Sequence, residues 1–438
     1  MGLLWAAVGT WNQACITLTV FLSRAPRSHT MSQEATIENH GTGRGRPPRI
    51  LIVVEPGLDG VFRHVEGLVS YLLERSVEVH LVYSTRRCGA AMLALVDRVS
   101  ASGGEVMDLR VSNFPTLADL VAIYRLVAFV RRVRPDVIHA HSSKAGVLGR
   151  TASILTGCPR CLYSPQAYYG MAKPPWLKVR FFNWIEAIFG RYGTTIAISR
   201  DEADFARTVL GINEARISVI PNPVDSNRFR PPTPQQRREA RMKFGIPENA
   251  VVLATVGRMC WQKDPETAYA GVAPVCKENS NLLFFHLGWG KWREYLLGLG
   301  QTLELGAHLR ILDYTDNPCD FYHAIDALVI SSRYEAGWSL VFLEAMACNL
   351  PIVSATCVGM SDIGRAGLSH VWTFDPEDVA GCTRAIRQWL SSHRGENGVT
   401  GCNHREFVVE RLSPERCYGA IFGLYLEVPK EAGVLKHG

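Results

Sequence analysis

Two series of β-branched runs, separated by amphipathic stretches, constrain this chain more than any other feature. ILIVV (50–54) is continuously apolar, the pattern of a parallel strand buried on both faces. A turn with Pro56, Gly57 and Gly60 follows, then a helix whose Val61, Val65, Leu68, Val69 and Leu72 share one face. VEVHLVY (77–83), DVIHA (136–140), CLYS (161–164), TTIAIS (194–199) and ISVI (217–220) continue the series. The proline-rich PNPVDSNRFRPPTPQQ (221–236) breaks it and reads as a linker. A second series runs through VVLATVG (251–257), LLFFHLG (282–288), LRILDY (309–314), ALVIS (327–331) and PIVSA (351–355). The expectation is α/β: two doubly wound parallel sheets, with ligands at the carboxyl ends of the strands and in the cleft between the two domains. The boundaries expected are a leader over 1–48, a first domain over 49–220, a linker over 221–240, a second domain over 241–403 and a tail over 404–438.

Two segments of the second domain carry chemistry. In VGRMCWQK (256–263) a strand ends at Gly257, and Arg258 and Lys263 follow on the loop into a helix. Two permanent cations beside a helix N-terminus suit a diphosphate, although most Arg and Lys side chains are merely solvated. In SSRYEAGWSLVFLEAMACNLPIVSA (331–355) an acid, Glu335, precedes a turn, and a second acid, Glu344, lies in the helix that follows. The backbone amides from Gly337 through Trp338, Ser339 and Leu340 to Val341 face a docking anion in this reading. A carboxylate further along such a helix can accept two ribose hydroxyls, or can simply complement the helix dipole.

These segments, with EPGLDGVFRHVEGL (55–68), PDVIHAHSSKAG (135–146), YSPQAYYGM (163–171), IAISRDE (196–202) and VIPNPVD (219–225), resemble glycosyltransferase family 4 of the GT-B fold, and in particular its bacterial exopolysaccharide and lipopolysaccharide members. The resemblance covers residues 49 to 428. It implies two Rossmann-like domains facing a central cleft, with a C-terminal helix crossing back to the first. It also implies a retaining transferase that moves a sugar from a UDP- or GDP-linked donor to a glycan or lipid-linked acceptor, without a metal. Arg258 and Lys263 match the family's diphosphate-binding pair, Glu344 its ribose-binding acid and Gly60 its phosphate-facing glycine turn. Preorganised donors at the departing diphosphate would lower the barrier.

Two departures stand out. Eight residues (AGWSLVFL) separate Glu335 from Glu344, where the family has seven. The preferred reading is a bulge, permitted by Gly337, that still presents Glu335 to the sugar as a catalytic acid. Gln166, an acceptor-side candidate, stands where the family usually has a histidine near the transferred sugar; it can hydrogen bond but cannot exchange a proton. His139 and His141 read as strand-end residues rather than catalysts.

On the acceptor side, KPPWLKVRFFNWIEAIFGRYG (173–193) is basic and rich in aromatic residues, the profile of a helix lying on an anionic membrane; alternatively its aromatic face packs on the sheet. Lys144 is a second acceptor-side candidate, as a cation for a phosphate. The first residues to Leu22 are apolar in places, but Thr10, Asn12, Gln13, Thr17 and Thr19 interrupt them and no basic residue precedes Arg24. A start placed upstream of a true first residue, Met31, is preferred to a membrane anchor.

A net charge of +6 suits anionic ligands and is too small to argue for nucleic acid, for which no motif appears. The 12 cysteines form no framework; Cys158 and Cys161 make an isolated CxxC that reads as a turn in a reducing cytoplasm. The expected location is the cytoplasm, peripheral to the inner face of the membrane. The competing readings are a nucleotide-sugar-binding protein impaired in catalysis, and a GT-B sugar-nucleotide epimerase or phosphorylase. A dinucleotide oxidoreductase is disfavoured because the first turn lacks a complete G-x-G-x-x-G.

Overall fold

The structure, a computed structural model, describes residues 47–112, 115–172, 176–315, 317–393 and 402–427. The leader up to residue 46 and Lys173 lie outside the described residues.

In the first half the order is β1 (Ile50–Val54), α1 (Asp59–Glu74), β2 (Val79–Tyr83), α2 (Ala90–Ala101), β3 (Val106–Asp108), α3 (Ala118–Val133) and β4 (Val137–His141). It continues with α4 (Ser143–Thr156), β5 (Arg160–Ser164), α5 (Trp176–Phe189), β6 (Thr194–Ala197), α6 (Arg200–Thr208) and β7 (Ile217–Val219). These strands form one parallel sheet in the order β3-β2-β1-β4-β5-β6-β7. β1 is buried along its whole length, which is why its sequence shows no alternation.

The second half runs α7 (Pro234–Lys243), β8 (Val251–Val256), α8 (Pro265–Glu278), β9 (Leu282–Leu287), α9 (Arg293–Thr302), β10 (Leu309–Leu312), α10 (Cys319–Ala324) and β11 (Ala327–Ile330). Then come α11 (Leu340–Ala347), β12 (Ile352–Ala355), β13 (Val371–Phe374), α12 (Val379–His393), α13 (His404–Arg411) and α14 (Pro414–Leu426). Its sheet, again parallel, is ordered β10-β9-β8-β11-β12-β13. Both sheets reverse direction of winding beside their first strand, at β1/β4 and β8/β11, and a crevice forms outside the strand ends at each such point.

Three details differ from the sequence reading. β3 and β13 are additional edge strands; each is short and largely half-buried, so neither has the continuous apolar run that marks the central strands. The stretch read as linker turns helical at Pro234, where Thr233 and Gln236 form a reciprocal cap and proline occupies the first turn. α13 packs Val408 and Leu412 into the second core, so the chain crosses back after residue 412 rather than at 404. α14 then buries Cys417, Tyr418, Ile421 and Tyr425 in the core of the first sheet. At ~1.5–3 kcal/mol for each large apolar side chain, this one helix contributes several kcal/mol to joining the halves. Its Tyr418 hydroxyl donates to the His64 carbonyl (3.2 Å), and its Tyr425 hydroxyl meets His139 Nδ1 (2.6 Å).

Candidate active site

The crevice at β8/β11 is lined by Thr255, Val256, Gly257, Arg258, Lys263, Ser331, Ser332, Ser339 and Val341, among others. Lys263 closes a short 3₁₀ turn, Trp261–Lys263. The turn is locked to the loop after β11: Ser331 Oγ donates to the Asp264 carbonyl (2.6 Å), and Arg333 donates to the Trp261 carbonyl (2.6 Å) and pairs with Asp264 (3.0 Å). The sequence reading missed Ser331 and Arg333, because nothing in their spacing marks them as braces for the cation-bearing turn.

Glu335 is buried beside this crevice, against two of the residues that line it. Its Oε1 lies 2.5 Å from Lys263 Nζ and accepts from Ser332 Oγ (2.6 Å). The extra residue before Glu344 therefore does not swing the acid away from the cation. Gly337 is not what permits this, contrary to expectation, since it is absent from the positive-φ glycines. Its small size matters instead: an added Cβ would sit 3.0 Å from the Ile198 carbonyl oxygen and 3.2 Å from Ser199 Cβ. The left-handed glycine is Gly359, at φ +90°, where a Cβ would fall 2.1 Å from the Glu335 carbonyl oxygen.

Ser339 caps α11 by accepting from the Phe342 amide (3.4 Å). Trp338 turns its side chain away: the indole donates to Asp362 (2.8 Å) and the ring packs on Phe342 and Phe407. Leu340 approaches Gly60, whose added Cβ would lie 3.9 Å from Leu340 Cδ1, so the N-terminal ends of α1 and α11 face each other. Arg258 reaches Gln262 (3.1 Å) and, more distantly, Asp59 at the start of α1 (3.8 Å).

Glu344 is 4% exposed, with both oxygens engaged: Oε1 by Arg63 of α1 (2.6 Å) and Oε2 by the Tyr322 hydroxyl (2.7 Å). Burial pushes its carboxyl above the usual carboxylate range, and the Arg63 guanidinium and Tyr322 pull it back. Arg63 and Tyr322 are further residues that the sequence reading did not single out. Beyond them lies a cavity of about 490 Å³ between α1, residues 223–229 and α14, with Glu344 on its wall.

The acceptor-side candidates separate. Lys144 donates to the Ser112 carbonyl (2.5 Å) and pairs with Asp119 (2.9 Å) at 11% side-chain exposure. It ties α4 to α3 and is not a free cation for a phosphate. Gln166 sits at φ +53° in the turn after β5, its side-chain amide nitrogen buried without a partner. His139 and His141 are fully buried, and burial holds both well below the usual histidine range. Cys158 and Cys161 are separate thiols that burial pushes up to about 12 and about 11.

The aromatic face of α5 does not pack on the sheet. Trp176, Leu177, Phe181 and Trp184 are exposed, and Lys178 and Arg180 stand among them. The opposite face anchors through Glu186, which binds Arg150 (2.7 Å) and the Tyr163 hydroxyl (2.9 Å). Among the described residues no helix is long and apolar enough to cross a membrane.

Residues 58–228 match the family described as Glycosyltransferase Family 4, and residues 236–399 match Glycosyl transferases group 1. The chain is 27% identical over 311 residues to an Escherichia coli UDP-Gal:alpha-D-GlcNAc-diphosphoundecaprenol alpha-1,3-galactosyltransferase, covering 69% of this chain and 78% of the relative. It is 31% identical over 279 residues to a D-inositol 3-phosphate glycosyltransferase of Geodermatophilus obscurus, covering 59% of this chain and 61%, less than two thirds, of that relative. Among solved structures, Anabaena HepE in complex with UDP superposes with a TM-score of 0.70 at 18% identity, over 86% of this chain and 98% of that one. WaaG, a glycosyltransferase involved in lipopolysaccharide biosynthesis, superposes at 0.60 and 18% identity, over 89% and 100%. With both halves matched in order and the paired parallel sheets in place, the chain belongs to glycosyltransferase family 4 and is a glycosyltransferase of the GT-B fold.

Proposed function

We propose that this enzyme transfers a sugar from a UDP- or GDP-linked donor to a glycan or lipid-linked acceptor, with retention of anomeric configuration and without a metal. The observation that carries the reading is the convergence of Arg258, Lys263 and the capped start of α11 on one crevice, with Glu335 held against its Lys263 and Ser332, and Glu344 further along α11 on the wall of the neighbouring cavity. In this reading Lys263 exchanges Glu335 for the donor diphosphate, and Glu335 is released toward the sugar. Arg258, Lys263 and the α11 amides then stabilise charge on the leaving diphosphate, the role a divalent ion plays in other transferases. Glu344 takes the ribose hydroxyls once Arg63 yields Oε1.

A thermal-shift screen against UDP-, GDP- and ADP-sugars tests this, since a ligand at 100 times its Kd adds ~2.7 kcal/mol of stability. A UDP- or GDP-sugar should stabilise the protein and be slowly hydrolysed in EDTA without acceptor. Hydrolysis that stops in EDTA and returns with Mg²⁺ or Mn²⁺ would remove the metal-free mechanism. Binding without hydrolysis or transfer would leave a nucleotide-sugar-binding protein.

The exposed face of α5 suits an anionic membrane, its aromatic groups entering the headgroup region and Lys178 and Arg180 meeting lipid phosphate. In this reading the protein works at the cytoplasmic membrane face, beside a lipid-linked acceptor. Flotation with vesicles containing anionic lipid should be lost in a Trp176→Ser/Phe181→Ser/Trp184→Ser variant that keeps its melting temperature; unchanged flotation would exclude this face.

A further inference from the structure

One short turn, from β6 into α6, touches both sides of the cleft. Ser199, the cap of α6, accepts from the Glu202 amide (3.0 Å) and donates its hydroxyl to the Ala336 carbonyl (2.6 Å), in the turn that carries Glu335. Asp201 accepts from the Gly359 amide (2.6 Å) and the Ser361 hydroxyl (2.6 Å), with a longer contact to the Ser361 amide (3.4 Å). Gly359 lies against the Glu335 carbonyl, and the Glu335 amide donates to Val358 (2.8 Å), so Asp201 grips the strip on which Glu335 is seated. Its neighbour Glu202 faces the other way. Fully buried, it accepts from the Ala167 amide (2.7 Å) and the Ile198 amide (2.8 Å). Gln166 and Ala167 sit at φ +53° and +98°, left-handed positions without glycine that need an outside hold.

We propose that Asp201 and Glu202 are positioning residues that couple the turn bearing Glu335 to the turn bearing Gln166, so that donor and acceptor are registered through one strand–helix turn. The proposal rests on the reading of the cleft given above. Carboxylate acceptors on backbone amides form stronger and shorter hydrogen bonds than neutral pairs, and these two acids are adjacent in one helical turn. A displacement of ~1 Å between reacting groups can cost a hundredfold in rate. α1 also meets the second half, at Arg258, Leu340 and Glu344, but this turn holds the segment that carries Glu335. Glu202 is fully buried, and that burial pushes its carboxyl up to about 7 against the pull of its two amide bonds.

The test is amide exchange by mass spectrometry on the full chain, with and without saturating UDP, and with GDP in parallel. In the unaltered protein nucleotide should slow exchange at 257–263 and, through the turn, at 166–168. Asp201→Ala should keep the first effect and lose most of the second, by about threefold or more for a coupling of ordinary size. Asp201→Asn, which retains an acceptor oxygen for the Gly359 amide, should restore it, a rescue that a merely stabilising contact would not show. Should Asp201→Ala not fold, Ser199→Ala provides the same comparison at the Ala336 carbonyl. Equal slowing at 166–168 in all variants, or none there in the unaltered protein despite slowing at 257–263, would overturn the coupling. No slowing at 257–263 with either nucleotide would remove the donor reading and this proposal with it.

Discussion

In and beside the crevice at β8/β11 the acids and cations are tied to partners: Lys263 to Glu335, Arg258 to Gln262 and, on the neighbouring cavity, Glu344 to Tyr322 and to Arg63 of α1. In the first half, His64 and His141 are buried with no well-formed hydrogen bond to any ring nitrogen, although Asn222 lies beside His64. On the proposed reading the crevice side is built for exchange, since an anionic ligand would swap one ionic partner for another at modest desolvation cost. The first half carries neutral polar groups whose burial is unfavourable once they take up a proton. Ligand affinity should therefore respond to changes on the donor side, and acid stability to changes beside β1 and β4.

The largest effects should come from the two acids. Glu335→Gln keeps the size of the side chain but removes its charge beside the sugar, and should lower kcat about a hundredfold with donor affinity little changed. Glu344→Gln should instead raise the donor KM by about ten- to a hundredfold, for hydrogen bonds worth ~1.5–3 kcal/mol each. Steady-state kinetics separates the two, and a Glu335→Gln enzyme with normal kcat would reduce that acid to a structural partner of Lys263.

A smaller effect concerns pH. Burial lowers His64 to about 4, with Asn222 opposing, and holds His139 and His141 well below their usual range. Between pH 6.5 and 4 the unfolded chain binds more protons than the folded one, so stability is full above the unfolded value and falls as the pH drops through this window. From pH 7.5 to 5, His64 alone should cost about 2 kcal/mol. Denaturant melts at both pH values check this. His64→Gln should flatten the dependence, and an unchanged slope would place the acid sensitivity elsewhere.

The central strands and the order of both sheets' elements could be read from the sequence, because buried parallel strands announce themselves as continuous apolar runs. β3 could not, because it is three half-buried residues ending in Asp108, nor could β13, whose four residues, two of them half-buried, are interrupted by Thr373. The helix at Pro234 had a readable signal in Thr233 and Gln236, which the surrounding prolines masked. Arg258, Lys263 and Glu344 could be proposed from the sequence because each stands in one local motif. Arg63, Tyr322 and Asp201 could not, since their partners are 281, 22 and 158 residues away. Nor could the partners of Lys144, Ser112 and Asp119, be read, since they are set by the packing of two helices.

The central claim is that the crevice at β8/β11 holds a nucleotide diphosphate through Lys263. Calorimetric titration of UDP and GDP into the unaltered protein and into Lys263→Ala tests it most directly. One nucleotide should bind the unaltered protein, and its affinity should fall about ten- to a hundredfold in the variant, the equivalent of one charge-assisted phosphate contact of ~1.5–3 kcal/mol. Equal affinity for the two proteins would contradict the account.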